Sequence, residues 1–192
     1  MSQYIVIFGA IIQLIGIYYY LRETIRGNTK PSKVSWLMWT VAPLIASAAA
    51  FSDGVRWAVL PVFMAGFTAL LVFLASFVNS KAYWKIETFD YICGLCSILA
   101  LLLWGITKNP MIAIIFSIAS YAFAAVPTII KSWKYPETES IETYFAGLLN
   151  ALTSFFALKT FSSSELAFPI YLVLESSLLT ALVYRGRLKN RK

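Results

Sequence analysis

The side chains in this sequence that could do chemistry are few, and they stand inside apolar runs. Glu175 lies near the centre of the run Leu166 to Tyr184, with Pro169 before it and Ser176, Ser177 and Thr180 after it. A central acidic side chain costs about 2.5–3.5 kcal/mol on bilayer-insertion scales, so it must face a bundle interior or a wet cavity. There it would either carry a proton during transport or act as a structural carboxyl bonded to a neighbouring helix. Asn150 shares one helix face with Thr143, Gly147 and Ser154, which are spaced three or four residues apart. An amide on such a stripe either holds a polar solute or joins helices through bonds that average about 0.6 kcal/mol. Trp36, Trp39, Thr40, Pro43 and Ser47 share a face of another run. Trp36, near the run's end, reads as an interfacial anchor. Trp39 lies deeper and offers a ring to stack on a sugar or heterocycle. Gln13 and Tyr121 add an amide and a phenol at matching places in two further runs.

Other chemistries are excluded by what is missing. The chain has no histidine, which removes imidazole metal sites, Ser-His-Asp triads and Cys-His pairs. Cys93 and Cys96 have the CxxC spacing, but their apolar run offers no base or helix N-terminus to activate a thiol, so they read as packing residues. A lone Glu175 cannot serve as both acid and base. The run that carries it has no lysine for a retinal Schiff base. No enzyme activity, cofactor or metal is expected.

The elements that position these residues follow from composition. Of 192 residues, 59% are apolar and 13% charged, with a mean hydropathy of +0.73. Soluble domains run about 45–50% apolar and about 25% charged, so this chain belongs in a bilayer. A hydrocarbon core needs roughly 20 apolar residues per helix. Seven runs approach that length: Tyr4 to Leu21, Val34 to Phe51, Val55 to Val78, Phe89 to Ile106, Pro110 to Ile130, Ile141 to Leu158 and Leu166 to Tyr184. The connections carry turn residues such as Gly27-Asn28, Ser52-Asp53-Gly54, Lys108-Asn109-Pro110, Pro136 and Ser162-Ser163-Ser164. With the N-terminus outside, 13 of the 16 Lys and Arg residues fall on the inner side and Arg56, Lys108 and Lys159 on the outer. The positive-inside rule therefore predicts N-out and C-in. Only Met1-Ser2-Gln3 precede the first run, which reads as a retained helix rather than a cleaved signal. The formal charge of +7 is explained by this topology, with the basic tail Arg185 to Lys192 at the anionic inner leaflet, so no nucleic acid is expected as a partner.

A shift of 108 residues, the separation of Pro61 and Pro169, also pairs Ser32 with Ser140, Ser35 with Thr143, Trp36 with Tyr144 and Thr68 with Ser176. It further pairs Gln13 with Tyr121 and Glu175 with Phe67, so a site built on Glu175 would be asymmetric. The expected fold is an all-α integral membrane protein of seven transmembrane helices in a 3+1+3 parallel repeat. Residues 1–80 form the first three-helix bundle, 81–109 the linker helix, 110–185 the second bundle and 186–192 a basic cytoplasmic tail. Pro43, Pro61, Pro127 and Pro169, each within a run, are candidate hinges because proline removes a backbone hydrogen bond.

This arrangement resembles the SWEET and PQ-loop superfamily of seven-helix carriers, which includes the KDEL receptors and the PnuC vitamin transporters. The local likeness lies in Tyr18 to Trp39 and in Ala124 to Asn150. Ala125-Val126-Pro127-Thr128, then Lys131 and Glu139-Ser140, stand where that family has a proline-glutamine pair, a basic residue and a short serine-containing loop. Thr128 replaces the glutamine, and Tyr19-Tyr20 replace the pair in the first copy, so neither repeat keeps the dipeptide. Trp36-Leu37-Met38-Trp39 is similar to the WxxW element of the vitamin transporters, and the loop Lys30-Pro31-Ser32-Lys33-Val34-Ser35-Trp36 is similar to that of a family of bacterial seven-helix proteins. The resemblance implies an inner-membrane carrier in which Asn150 bonds a small polar solute in a central cavity. Beside it, the reading of the residues themselves puts forward Gln13, Trp39, Tyr121 and Glu175 as solute-binding residues. The alternative is a receptor-like binding protein, similar to the KDEL receptor, that captures a ligand without flux. The expected partners are membrane lipid and the solute, with assembly into a homo-oligomer left open.

Overall fold

The computed structural model describes residues 2–52, 54–79, 84–107, 110–158 and 163–189. Among them are seven α-helices and no strand. These are α1 (Ser2–Arg26), α2 (Lys33–Ser52), α3 (Leu60–Ala75), α4 (Thr88–Thr107), α5 (Pro110–Lys134), α6 (Ile141–Thr153) and α7 (Ser163–Lys189). Single 3-10 turns at Trp57–Val59, Pro136–Thr138 and Ser154–Phe156 precede α3, link α5 to α6 and extend α6. Turn chemistry sets the breaks. Gly27 takes φ 82°, and its N–H and that of Asn28 return to the carbonyls of Thr24 and Glu23, which closes α1. Pro31 then delays the next helix until Ser32, whose hydroxyl accepts the Ser35 N–H at 3.4 Å. Gly54, at φ 88°, turns the chain at the other end of α2.

Among the described residues, four stretches are long and apolar enough to cross a membrane: Gln3–Arg26, Trp57–Ala75, Ile114–Lys134 and Glu165–Leu188. α6, at 13 residues, is shorter than the roughly 20 that a perpendicular crossing needs. Large apolar side chains cover the outward faces, among them Phe8 at 62% exposure and Leu174 at 65%. A surface this apolar belongs against lipid.

Packing follows a regular order. α3 lies between α1 and α2, and α7 between α5 and α6, while α1 packs on α6, α2 on α5, and α4 on the outside of α5. Glycine permits the α1–α6 contact, because a Cβ at Gly16 would collide with Ala146 and stand 2.9 Å from the Glu142 carbonyl oxygen. The Thr143 hydroxyl donates to the Gly16 carbonyl across this seam at 3.0 Å. One core cluster fills the centre, built on Ile17, Tyr20, Trp39, Val72, Tyr121, Leu172 and Leu179.

Two expectations change. Pro61 is not a mid-helix proline. It sits in the first turn of α3, where its missing N–H costs no helical bond, because the 3-10 turn absorbs the residues before it. Pro43, Pro127 and Pro169 do lie inside α2, α5 and α7. The tail expected over 186–192 is helical as far as Lys189, because Gly186 lies against Pro136 and Arg187 forms a bidentate bond to Glu142 at 2.9 and 3.1 Å. Asn190 to Lys192, together with Lys81, Lys108 and Lys159 of the charge count, lies outside the described residues, as does the side chain of Cys96.

Candidate functional site

A cavity of about 50 Å³ lies at the middle level of the helices, between the α1–α3 and α5–α7 triplets. Gln13, Trp39, Tyr121, Asn150 and Glu175 all line it, and each is buried. Five different helices bring these side chains together, with Thr68 of α3 completing the ring.

The two amides form one hydrogen-bonded chain. Gln13 Nε2 donates to Thr68 Oγ1 at 2.9 Å and to the Met64 carbonyl at 3.4 Å. Gln13 Oε1 accepts from Asn150 Nδ2, which also donates to the Pro61 carbonyl at 3.2 Å. Main-chain carbonyls only accept, so they fix which end of each amide is the donor. Asn150 Oδ1 is then left buried without a partner. The Trp39 indole N–H donates to the Tyr121 carbonyl at 3.3 Å, and the two rings stack with centroids 5.6 Å apart at 25°. Tyr121 meets Phe168 and Tyr171 edge-on toward the far end of α7. Glu175 sits beside Ser176 and takes no part in the ion pairs formed among the described residues. Its counterpart Phe67 is 37% exposed and stacks on Phe63, so the carboxyl enters the cavity from one triplet only.

Trp36 departs from its expected interfacial role. It is 4% exposed and lines the cavity, because Tyr20 and Trp39 pack their rings on either side at 5.0 and 5.2 Å. Below it, at the end where α1 and α5 finish with their basic residues, lies a cluster whose lysine sequence reasoning assigned to topology. Lys131 and Glu139 form an ion pair with both side chains fully buried. Tyr20 and Tyr144 each donate to Glu139 Oε2, at 2.9 and 2.7 Å. Lys131 also donates to the Lys30 carbonyl and stands 5.0 Å over the Trp84 ring. The cluster joins α1 and the α1–α2 loop to α5 and α6, closing the basic end beneath the cavity. The spacing Tyr121, Ala124, Thr128, Lys131 carried the signal, since it continues the inward stripe of α5 down to the lysine.

Among the described residues no group of three His, Cys, Asp or Glu side chains is placed to hold a metal ion. Cys93 is buried and forms no disulfide among the described residues. Comparison of the chain with family models, with curated proteins and with solved structures gives no match.

Proposed function

We propose that the chain is a seven-span carrier that moves a small polar solute across a bacterial inner membrane by alternating access, in the manner of the SWEET and PQ-loop superfamily. The observation that carries this reading is the midplane cavity, where two amides, a carboxyl and an aromatic pair from both triplets converge. Polar groups at that depth are costly and collect along solute pathways. The parallel repeat is supported by the packing order, in which the third helix of each triplet lies between the other two. It is supported too by the 108-residue shift, which carries the ends of α1 onto those of α5 and the first residue of α2 onto that of α6. N-out and C-in orientation puts the Lys131–Glu139 cluster on the cytoplasmic side.

At about 50 Å³ the cavity holds a few waters at about 10–15 Å³ each, well below the roughly 300–1,000 Å³ of small-molecule sites. This is a closed state. Loading requires the triplets to part, at the basic end by breaking the Lys131–Glu139 cluster, with Pro43, Pro127 and Pro169 as bending points. Proton linkage would rest on Glu175, and transport by Glu175→Gln with unchanged pH dependence removes that version.

The test is thermal unfolding of the purified protein in detergent against sugars, amino acids, nucleosides and vitamins, followed by uptake into liposomes. A ligand at 100 times its Kd stabilises by about 2.7 kcal/mol, or roughly 5–11 °C for a chain of this size. One class should raise the melting temperature, Asn150→Ala should remove the rise, and the same class should enter the liposomes. Binding without uptake favours the receptor reading. Neither binding nor uptake by any class overturns both.

A further inference from the structure

We infer that the solute is a small organic cation, an ammonium or guanidinium compound held by the Glu175 carboxylate and the free Oδ1 of Asn150 among aromatic rings. The inference rests on the carrier reading and names the substrate class of the same cavity.

Three observations carry it. Among the described residues that line the cavity, Glu175 is the one charged side chain, and no Lys or Arg faces it. Burying an ionised carboxylate without a cation costs several kcal/mol, and a cationic ligand removes that cost. Second, most wall donors are already committed. The Trp39 N–H goes to the Tyr121 carbonyl, the Thr143 hydroxyl to the Gly16 carbonyl, the Thr68 hydroxyl to the Met64 carbonyl and the Tyr144 hydroxyl to Glu139. Asn150 spends its N–H bonds on Gln13 and the Pro61 carbonyl, which leaves Oδ1 as a buried acceptor with nothing to accept. A solute rich in N–H donors satisfies it. Third, the indole and phenol rings of Trp36, Trp39, Tyr121 and Tyr144 wall the space. A cation within about 6 Å of such rings gains about 0.5–2 kcal/mol.

A neutral sugar makes no use of the Glu175 charge, since a buried carboxyl without a cation takes up a proton instead, and a carboxylate solute would meet its ionised form with like charge. The ion pair beneath the cavity does not alter this balance, because Lys131 and Glu139 neutralise each other.

The experiment compares methylammonium, choline and agmatine with 3,3-dimethylbutanol, the neutral isostere of choline, and with glucose and acetate. Each is added to the full chain in detergent for thermal unfolding and in liposomes for uptake. The cations should raise the melting temperature and enter, and the neutral and anionic probes should do neither. Glu175→Gln should weaken cation binding at least tenfold, with circular dichroism and gel filtration confirming its fold. If that variant does not fold, choline against its isostere on the native chain decides the matter alone. Equal shifts from choline and the isostere, or undiminished cation binding by Glu175→Gln, overturn the cation assignment. Shift and uptake by glucose alone overturn it too while leaving the carrier reading intact. Absence of any shift and any uptake overturns both.

Discussion

Removing the Lys131 charge, as in Lys131→Met, should be among the most damaging single changes outside the cavity. The ammonium is fully buried against Glu139 and donates to the Lys30 carbonyl. Its loss leaves a buried carboxylate with only the two tyrosine hydroxyls, at 2.9 and 2.7 Å, as donors. Breaking a buried pair from one side costs about 3–5 kcal/mol. For a chain of about 190 residues, each kcal/mol moves the melting temperature by roughly 2–4 °C, which gives a fall of roughly 6–20 °C. Glu139→Gln should cost less, since the amide oxygen still accepts from one tyrosine, yet it leaves the ammonium without its counter-charge. The double variant should be more stable than the sum of the two losses, because no unpaired charge remains. Thermal unfolding in detergent of the native chain, both singles and the double closes the cycle. Additive losses below about 1 kcal/mol per site would refute the reasoning, because they would mean that the pair is hydrated and does not hold the triplets together.

Three further outcomes follow from the same geometry. Gly16→Leu should break the α1–α6 seam, since its Cβ alone meets Ala146 and the Glu142 carbonyl, and overpacking costs about 1–3 kcal/mol; Gly105→Ala, with open space around it, should leave the melting temperature within about 2 °C in the same scan. Arg187→Ala should cost at most about 1 kcal/mol, because its pair with Glu142 is nearly half exposed on both sides, and raising the salt should shrink the difference in melting temperature between it and the native chain. With Cys93 and Cys96 replaced by alanine, a cysteine at Gln3 should react with a membrane-impermeant maleimide in intact cells and one at Arg185 should not; the reverse pattern refutes the orientation.

The helices were legible because their breaks are written in local chemistry. Gly27, Pro31 and Gly54 end or delay helices by backbone geometry alone, and the observed ends fall within a few residues of the hydrophobic runs. The cavity residues were legible for another reason: a Gln, Asn or Glu in the middle of an apolar run has nowhere stable to face except inward. What hid the Lys131–Glu139 cluster was a sufficient rival explanation, since a lysine near a helix end already serves topology. Glu139 follows in a connection, and only folding brings Tyr20 to it across 119 residues of sequence. Trp36 misled in the same way. Depth along its run favoured the interface, while the rings that bury it come from α1 and from the next turn of α2. Pro61 escaped because a 3-10 turn cannot be told from the first turn of a helix by hydropathy.

The choice of an ion pair to close the basic end bears on how such a carrier would open. An apolar plug exposes its whole surface when it parts, at about 25 cal/mol per Å². A buried pair behaves differently, because its attraction and the desolvation of its charges nearly cancel. When water enters, each charge regains hydration as it loses its partner, so the closed and open forms of the Lys131–Glu139 cluster differ by far less than the loss expected for Lys131→Met. The tyrosines add direction to this balance: Tyr20 and Tyr144 belong to different triplets and share one carboxylate oxygen, so the bond breaks only when α1 and α6 separate at that end. The seam at Gly16, one turn above Tyr20, is held by close main-chain approach and the Thr143 bond, and would be the pivot of such a motion. A variant in which Lys131 and Glu139 are both leucine, and Tyr20 and Tyr144 both phenylalanine so that no hydroxyl is left without its acceptor, should therefore be as stable as the native chain or more so, yet transport more slowly. Equal stability with undiminished flux would show that the basic end is not where the rate is set.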